Sequence, residues 1–423
     1  MSRQQLHLHL LTLLTATVVA AAVVLVGWGG SVCSAKAVLV EDGATGALHI
    51  NTSDPTQSPV FVNGMDVMKL YELVQQQQSM IEAGNEVNQA QQQTLAALRA
   101  RVCHPRMNLT AITGVGTGTY KWVGSVLAPN GLIYAIPHGA TAVLIIDPAT
   151  NTADTTTITD LGPGYKWAGG VLADNGRIYA FPNDATSVLV IDPATNATDT
   201  TLGSFSPGMS LWNSGVLAPN GLIYGIPRHN DSALIIDPAN NTTDITTITG
   251  LGTESNKWFG GAVASNGRIY ACPMAADAVL IIDPATNTAD TTSITGLGDG
   301  LKWTGTVLAP NGYIYGIPRA ASSVLIVDPS SNTADTTTIS GLPSGDRKWF
   351  GGVLAPNGNV VGIPNYATSV LFVDPTTDTA DTTSLGGLPT GGNLWIGGAV
   401  APNGLIYATP YFADAVLIID SDC

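Results

Sequence analysis

The side chains that could do chemistry in this chain recur at a fixed spacing. Seven tryptophans lie 45 or 46 residues apart, and a lysine directly precedes five of them. These lysines are Lys121, Lys166, Lys257, Lys302 and Lys348. A ring of cations beside aromatic rings is suited to anionic or polyhydroxyl ligands. Each lysine could instead serve structure, as a partner for an aspartate or a carbonyl of the neighbouring repeat.

Other polar and aromatic residues fall in the segments that differ between copies of the repeat. These segments join one copy to the next or follow its second predicted strand, so we expect them to share one face of the molecule. Besides the lysines, this variable face carries His138, Arg228, His229, Arg319, Arg347, Tyr366, Tyr411 and Phe412. Because binding residues concentrate on loops held by a rigid scaffold, we predict that this face binds a glycan or another protein.

Patterns typical of enzymes are sparse. The sequence has no His/Cys cluster with zinc spacing, no G-x-S-x-G elbow and no phosphate-binding loop. Asp147, Asn151 and Asp154 could hold calcium in principle, but their spacing matches neither an EF-hand loop nor a nonapeptide calcium repeat. We therefore predict no catalytic residue, no metal and no cofactor. A secreted propeller hydrolase or lyase is the alternative.

Each tryptophan opens one copy of a repeat with four strand signals. In the first copy the predicted strands are Trp122–Ala128, Leu132–Ile136, Ala142–Ile146 and Asp154–Ile158. The Asn-Gly and Asp-Pro pairs between them are typical of tight turns. The sequence therefore predicts an all-β, seven-bladed β-propeller over residues 104–423, with copies starting near 121, 166, 211, 257, 302, 348 and 394.

The seventh copy ends after its third predicted strand. Residues 107–112, which precede the first tryptophan, align with the missing fourth strand. We predict that they complete a split seventh blade, because closure of the ring removes an exposed strand edge.

Two phrases of the repeat resemble a known family. V-L-I-I-D-P-A-T-N-T at Val143–Thr152 and G-V-L-A-P-N-G at Gly215–Gly221 resemble the YVTN-type and related NHL-like propeller repeats. The resemblance covers about residues 107–423. It implies a propeller fold and no single chemistry, because these families include binding modules, lyases and lactonases. The chain departs from YVTN repeats in its Lys-Trp pairs and in having Ile-Pro where those have Thr-Asn.

The N-terminal segment and the composition suggest a compartment. Arg3, the apolar run Leu10–Val26 and the small residues Cys33 and Ala35 predict a signal peptide over residues 1–35 and secretion. The alternative is an uncleaved type II membrane anchor, with the propeller outside the cell. A net charge of −15 excludes the basic footprint of a nucleic-acid-binding protein. Six predicted glycosylation sequons agree with secretion: Asn51, Asn108, Asn196, Asn230, Asn240 and Asn241.

Between the leader and the propeller the composition changes. Residues 36–66 read as an extended linker. Residues 67–103 are rich in Gln and Ala, and apolar residues at Val67, Leu70, Val74, Ile81, Leu95, Leu98 and Val102 fit one heptad frame. This predicts a helical coiled-coil stalk that self-associates, with a trimer favoured. The alternative is a single helix packed on the propeller.

The cysteines suggest one disulfide bond. Cys103 and Cys423 align with neighbouring positions of one turn in the split blade, where a bridge is feasible. An alternative is that Cys103 bridges two chains. Cys33 would leave with the leader, and Cys272, which follows a predicted strand, would be a free thiol.

Overall fold

The computed structural model describes residues 37–41, 48–52, 61–62, 65–102, 105–208 and 210–421. The chain divides into two compact units, residues 1–101 and 102–423. In the first unit β1 (Ala37–Glu41) pairs with β2 (Leu48–Thr52), and β3 (Phe61–Val62) pairs with β4 (Met65–Asp66). The linker predicted there thus contains two hairpins. The predicted signal segment and the cysteines Cys33, Cys103 and Cys423 lie outside the described residues, and so does the predicted disulfide.

Helix α1 (Val67–Val102) is the one helix in the described part of the chain. Its Gln- and Ala-rich sequence without proline favours the helix. Over residues 72–94 every side chain is exposed, including Val74, Met80 and Ile81. The coiled coil stays a prediction. Among the described residues, none of the helical structure is long and apolar enough to cross a membrane.

The second unit contains seven four-stranded antiparallel sheets, each a blade. The first strands of neighbouring blades contact one another around the axis. These inner strands are β6 (Trp122–Leu127), β10 (Trp167–Leu172), β14 (Trp212–Leu217), β18 (Ala262–Val263), β22 (Trp303–Leu308), β26 (Trp349–Leu354) and β30 (Trp395–Val400). The second strands are β7 (Ile133–Pro137), β11 (Ile178–Pro182), β15 (Ile223–Pro227), β19 (Ile269–Ala271), β23 (Ile314–Pro318), β27 (Val360–Pro364) and β31 (Ile406–Pro410).

The outer half of each blade contains the third and fourth strands. The third strands are β8 (Leu144–Asp147), β12 (Val188–Asp192), β16 (Leu234–Asp237), β20 (Leu280–Asp283), β24 (Leu325–Asp328), β28 (Leu371–Asp374) and β32 (Leu417–Asp420). The fourth strands of blades one to six are β9 (Thr152–Asp154), β13 (Ala197–Leu202), β17 (Thr242–Asp244), β21 (Thr288–Asp290), β25 (Thr333–Asp335) and β29 (Thr379–Asp381). This arrangement confirms the seven-bladed propeller.

The seventh blade is split, as predicted. Its fourth strand is β5 (Arg106–Asn108), which pairs with β32 so that Ile418 faces Asn108. The strand is shorter than the predicted 107–112. Asn108 Oδ1 accepts hydrogen bonds from the N–H groups of Thr110 and Ala111, at 2.8 and 2.9 Å, and turns the chain there. Asp154 turns the chain in the same way in the first blade. The fourth strand β9 therefore ends at Asp154, where the predicted strand Asp154–Ile158 begins.

The repeated tryptophans belong to the core. Each is at most 4% exposed, and Trp122 packs among Ile133 of its own blade and Tyr407 of the preceding blade. Its Nε1–H donates to the Ala142 carbonyl at 2.8 Å, and the other six make the equivalent bond. Burial of so large a ring between blades contributes several kcal/mol, roughly, which explains the recurrence without a ligand. Cys272 is a buried free thiol, as predicted.

Candidate ligand pocket

A closed belt of backbone hydrogen bonds surrounds the axis on the variable face. A proline ends the second strand of each blade or, in the fourth blade, lies two residues beyond it. The carbonyl of the residue after this proline accepts the N–H of the residue before the next tryptophan, at 2.7–3.1 Å. The N–H of the same residue donates to the carbonyl of the residue before the tryptophan in that blade, at 2.8–3.0 Å. We call these the belt residues: His138, Asn183, Arg228, Met274, Arg319, Asn365 and Tyr411. The backbone is fixed at both ends, so the side chains can vary without loss of the ring.

A pocket of about 380 Å³ opens at the centre of this belt. Its rim consists of the residues two before each tryptophan: Tyr120, Tyr165, Ser210, Asn256, Leu301, Arg347 and Asn393. Its floor is formed by residues that directly follow a tryptophan: Val123, Asn213, Phe259, Phe350 and Ile396. Six belt residues and Asp184 complete the lining. All seven blades therefore contribute to one cavity, of a volume usual for small-ligand sites.

One side of the pocket is an aromatic wall. Tyr120 lies 5.0 Å from Tyr165 and 5.3 Å from Tyr411, measured between ring centroids. His138 stacks on Tyr165 at 5.1 Å and 14°. Tyr120 and Tyr165 are 37% and 46% exposed, so their rings are available to a ligand. The wall is built from the seventh, first and second blades.

The opposite side carries arginines. Arg228 Nε donates to Asn256 Oδ1 at 2.8 Å, and Arg319 forms an ion pair with Asp346 at 2.7 Å. Arg347, on the rim, also lies near Asp346, at 3.6 Å. Burial lowers the pKa of Arg228 to about 10, opposed by the nearby Tyr411 and Asp184. The group stays cationic at neutral pH, so this side of the pocket is positive in a chain of net charge −15.

His138 is the imidazole of the pocket. Its ring nitrogen Nδ1 lies 3.1 Å from the Trp167 carbonyl, which can only accept, so Nδ1 carries the proton and Nε2 is the basic nitrogen. Burial lowers the pKa of His138 to about 4. The ring is therefore neutral at pH 7.

The floor is mostly apolar and is supported by close backbone contact. Phe259 and Phe350 meet edge to face at 4.9 Å. The next residue along each inner strand is glycine in six blades, with φ between +61° and +87°. A Cβ atom on Gly305 would lie 2.7 Å from the Gly351 Cα, so only glycine lets these strands approach. Ser214 is the exception, and its Oγ accepts the Gly260 N–H at 2.9 Å.

Several buried polar atoms of the pocket have no hydrogen-bond partner. They are Asn183 Oδ1, Asn213 Oδ1 and Arg319 Nε, on side chains that are 2%, 6% and 4% exposed. Arg319 Nη1 has the Asp346 carboxylate at 2.7 Å, yet not at the angle of a hydrogen bond. An unpaired buried donor or acceptor costs about 1–3 kcal/mol. Three residues that line the pocket therefore carry polar atoms that the protein itself leaves unpaired.

The five predicted lysines belong to the scaffold around this pocket. They are 3–7% exposed, and each ammonium group donates to a carbonyl of the preceding blade at 2.8–2.9 Å. Each also lies 5.7–5.9 Å from the centre of its adjoining tryptophan ring. Burial lowers the pKa of Lys121 and Lys166 to about 8. These contacts are those of the structural alternative, a lysine that joins two blades through a carbonyl.

Of the other predicted residues, five come together in the pocket: His138, Arg228, Arg319, Arg347 and Tyr411. His229 lies beside it, with Nε2 3.4 Å from Asn256 Oδ1. Tyr366 is exposed and stacks with Arg347 at 5.9 Å. Sequence reasoning missed Tyr120, Tyr165, Asn183 and Asn213. These residues lie two positions before a tryptophan, directly after a tryptophan or directly after the proline. An alignment of the seven copies would have shown that these three positions vary.

The sequons occupy varied places. Asn108, Asn240 and Asn241 are exposed, while Asn196 and Asn230 are half-buried and Asn51 lies in β2. Asn196 Oδ1 accepts a hydrogen bond from Tyr134 of the preceding blade at 2.8 Å.

In the described part of the chain, no three His, Cys, Asp or Glu residues gather as metal ligands.

The sequence comparisons identify one repeat family over part of the chain. A family described as a repeat of unknown function (DUF6923) matches residues 215–393. No curated protein matches the sequence. The finer resemblance to YVTN-type and NHL-like repeats stays a prediction.

Solved structures share the architecture at low identity. A streptogramin B lyase is 10% identical, with a TM-score of 0.59 over 75% of this chain and 98% of the lyase. Virginiamycin B lyase from Staphylococcus aureus is 10% identical, with a TM-score of 0.57 over 74% of this chain and 98% of its own. An extracellular domain from B. thetaiotaomicron assigned to a one-component system is 10% identical, with a TM-score of 0.55 over 74% of this chain and 39% of its own. Such likeness shows the propeller fold alone.

Proposed function

We propose that this protein is a recognition module that binds a glycan, or an exposed group of another protein, in the central pocket of its variable face. The observation that carries the proposal is the set of unpaired buried polar atoms on residues that line a cavity formed by all seven blades. A folded protein tolerates such atoms at a cost in stability, and bound ligand would supply their partners. The belt supports the proposal, because it holds diverse side chains on a rigid backbone.

The experiment is a binding array of glycans and extracellular-matrix proteins, probed with the full chain. Arg228→Met should lower binding of the ligands that the wild-type protein captures by about tenfold or more, since a charged hydrogen bond contributes about 1.5–3 kcal/mol. Arg177→Met is the matched control. Arg177 is an exposed arginine beside Asp192, at the end of the blade away from the pocket. Equal binding by the wild-type protein and Arg228→Met would exclude the pocket.

We further propose that the protein is secreted and self-associates through α1. The exposed apolar side chains along the predicted heptad support a parallel oligomer, with a trimer favoured. Several pockets on one particle would then strengthen binding to repeated epitopes. Light scattering on the mature chain and on Val74→Asp/Ile81→Asp tests this. A single-chain mass for the wild-type protein would refute self-association, and Ser79→Asp controls for added charge.

A lyase or hydrolase acting in the same pocket is the second candidate. His138 favours it, because this lining residue is a neutral imidazole whose Nε2 is the basic nitrogen, as a general base requires. The fold shared with streptogramin-type lyases agrees. Quinupristin is the compound bound in a solved structure of inactive virginiamycin B lyase, so it is the probe. Loss of quinupristin in the presence of the protein, measured by mass spectrometry, would support this candidate if His138→Asn abolished it.

A further inference from the structure

The residues that line the pocket carry both unpaired hydrogen-bond acceptors and an unpaired donor, and they include both aromatic rings and arginines. Asn183 Oδ1 and Asn213 Oδ1 are acceptors that need donors, whereas Arg319 Nε is a donor that needs an acceptor. Aromatic rings line one side and arginines line the other. A ligand that satisfies the whole pocket must therefore carry hydroxyl donors, an anionic acceptor and a flat face.

We propose that the pocket binds a sugar residue that carries a carboxylate, such as a uronic acid at the end of a glycan. Its hydroxyl groups donate to the two asparagine oxygens, its carboxylate faces the arginine side, and its ring lies on Tyr120 or Tyr165. This assignment rests on the proposed function and names the ligand class for the same site.

Charge and geometry favour an acid over a neutral sugar. Arg228, Arg319 and Arg347 face one carboxylate in the lining, Asp184, and one beside it, Asp346. Asp184 is already engaged, since its Oδ1 accepts from Asn183 Nδ2 at 2.8 Å and from the Ser210 N–H at 2.9 Å. An arginine fork can bind a planar carboxylate through two parallel N–H···O hydrogen bonds. A neutral sugar would leave three arginines with only these two carboxylates as counter-charges.

Asn183 is oriented for this role by its hydrogen bonds, and Asn213 is placed for it by its position in the floor. Asn183 Nδ2 donates to the Tyr165 carbonyl at 3.0 Å as well as to Asp184, so its oxygen is the atom left over. Asn213 occupies a floor position at which the first blade has Val123 and the seventh has Ile396. A polar amide in an otherwise apolar floor has no structural partner for its oxygen, which a sugar hydroxyl would supply.

The test uses the full chain and titration calorimetry with monosaccharides. D-glucuronate, D-galacturonate and N-acetylneuraminate are compared with D-glucose, D-galactose and glucose 6-sulfate. We expect at least one carboxylated sugar to bind about tenfold or more tightly than its neutral counterpart and more tightly than the sulfate. Equal affinities, tighter binding of the sulfate, or no binding of any carboxylated sugar would overturn the proposal.

Two variants separate ligand contact from folding. Arg319→Met should lower the affinity for the best carboxylated sugar about tenfold, while Arg177→Met leaves it unchanged. Asn213→Val, which installs the residue of the first blade, should lower affinity several-fold without lowering the melting temperature, because it removes an unpaired buried oxygen. Unchanged affinity in both variants would refute the assignment. The proposed function itself fails only if Arg228→Met leaves array binding intact, so the two failures are distinguishable.

Discussion

The two faces of the propeller are built from one repeated sequence, yet they join neighbouring blades in different ways. On the face formed by the Asn-Gly and Asp-Pro turns, which we call the turn face, side chains make the connection. Asn130 Nδ2 donates to the Pro193 carbonyl of the next blade at 3.0 Å, and Tyr134 donates to Asn196 at 2.8 Å. Asn196 itself adopts φ +57°, a conformation that asparagine tolerates. Such positions cannot vary without loss of the contact.

On the pocket face the backbone makes the connection. The belt residues are tied through their N–H and carbonyl groups, and a lysine side chain reinforces the joint in five blades. These backbone bonds are the same in all seven blades, whichever side chain the belt residue carries. The turn face therefore keeps the same residues in most copies of the repeat, because their side chains hold the blades together. On the pocket face the backbone holds the blades together, so the side chains differ between copies.

The largest expected effect comes from replacing a glycine beneath the pocket, compared with replacing a glycine on the turn face. Gly305 (φ +87°) lies in the inner strand beneath the pocket, and a Cβ there would be 2.7 Å from backbone. Gly312 (φ +86°) lies in a turn-face loop with nothing within 4 Å. Gly312→Ala should lower the free energy of unfolding by about 1–2 kcal/mol. Gly305→Ala should lower it by about 4 kcal/mol or more, because backbone must also move.

Guanidinium unfolding of both variants measures this difference. The positive φ is nearly equal at the two sites, so its cost cancels and the excess reports the contact between inner strands. Equal destabilisation by the two substitutions would show that the strands beneath the pocket are not in contact.

The sequence predicted the fold better than the site, and the two faces explain why. Turn chemistry and strand patterning recur in every copy, so the blades and the split seventh blade could be predicted. The lysines recur just as regularly, and recurrence suggested a ligand, whereas burial against carbonyls is what repeats. Asn213 illustrates the opposite problem. It occurs once, in a floor column that is mostly apolar, and only the packing of seven blades shows that its oxygen has no partner.

Local side-chain chemistry also overrode strand propensity. The Thr-rich segment from Asp154 to Ile158 reads as a strand, because β-branched residues favour extended structure. In the structure the Asp154 carboxylate accepts hydrogen bonds from the N–H groups of Thr156 and Thr157, and from the Thr157 hydroxyl. These bonds compete with the sheet and end the strand early.

An intermediate effect is expected at acid pH on the pocket face. The folded-state pKa of His138 is about 4, below the ordinary 6.5, so the unfolded chain takes up this proton first as the pH falls. The associated stability is fully present above pH 6.5 and decreases down to about pH 4, by on the order of 3 kcal/mol. His138→Asn, which installs the residue of the second blade, should remove this part of the pH dependence.

Thermal unfolding of the wild-type protein and the variant from pH 7 to pH 4 measures the difference. Asp335→Asn is the control at the outer edge of a blade. Hydrogen bonds from Thr338 and Thr337 lower the pKa of Asp335 to about 2, so its contribution is present above about pH 3.8 and lost only as the pH falls towards 2. Parallel curves for the wild-type protein and His138→Asn between pH 6.5 and 4 would contradict the buried neutral imidazole.

The smallest effects compare the two ways of joining blades directly. Lys166→Leu, which copies Leu211 of the third blade, leaves the Ala140 and Gly164 carbonyls without their ammonium donor and should cost about 2 kcal/mol. Tyr134→Phe removes one hydroxyl from the turn face and should cost about 1 kcal/mol. Val361 already replaces this tyrosine in the sixth blade, where Asn357 alone reaches the Ser421 carbonyl, so the loss of one such contact is tolerated.

Chemical unfolding measures both losses of stability, and the glycan array tests whether the lysines contact a ligand. If Lys166 joins blades, Lys166→Leu should bind array ligands as the wild-type protein does. A loss of binding at full stability would instead make the lysines ligand contacts, as their sequence pattern first suggested.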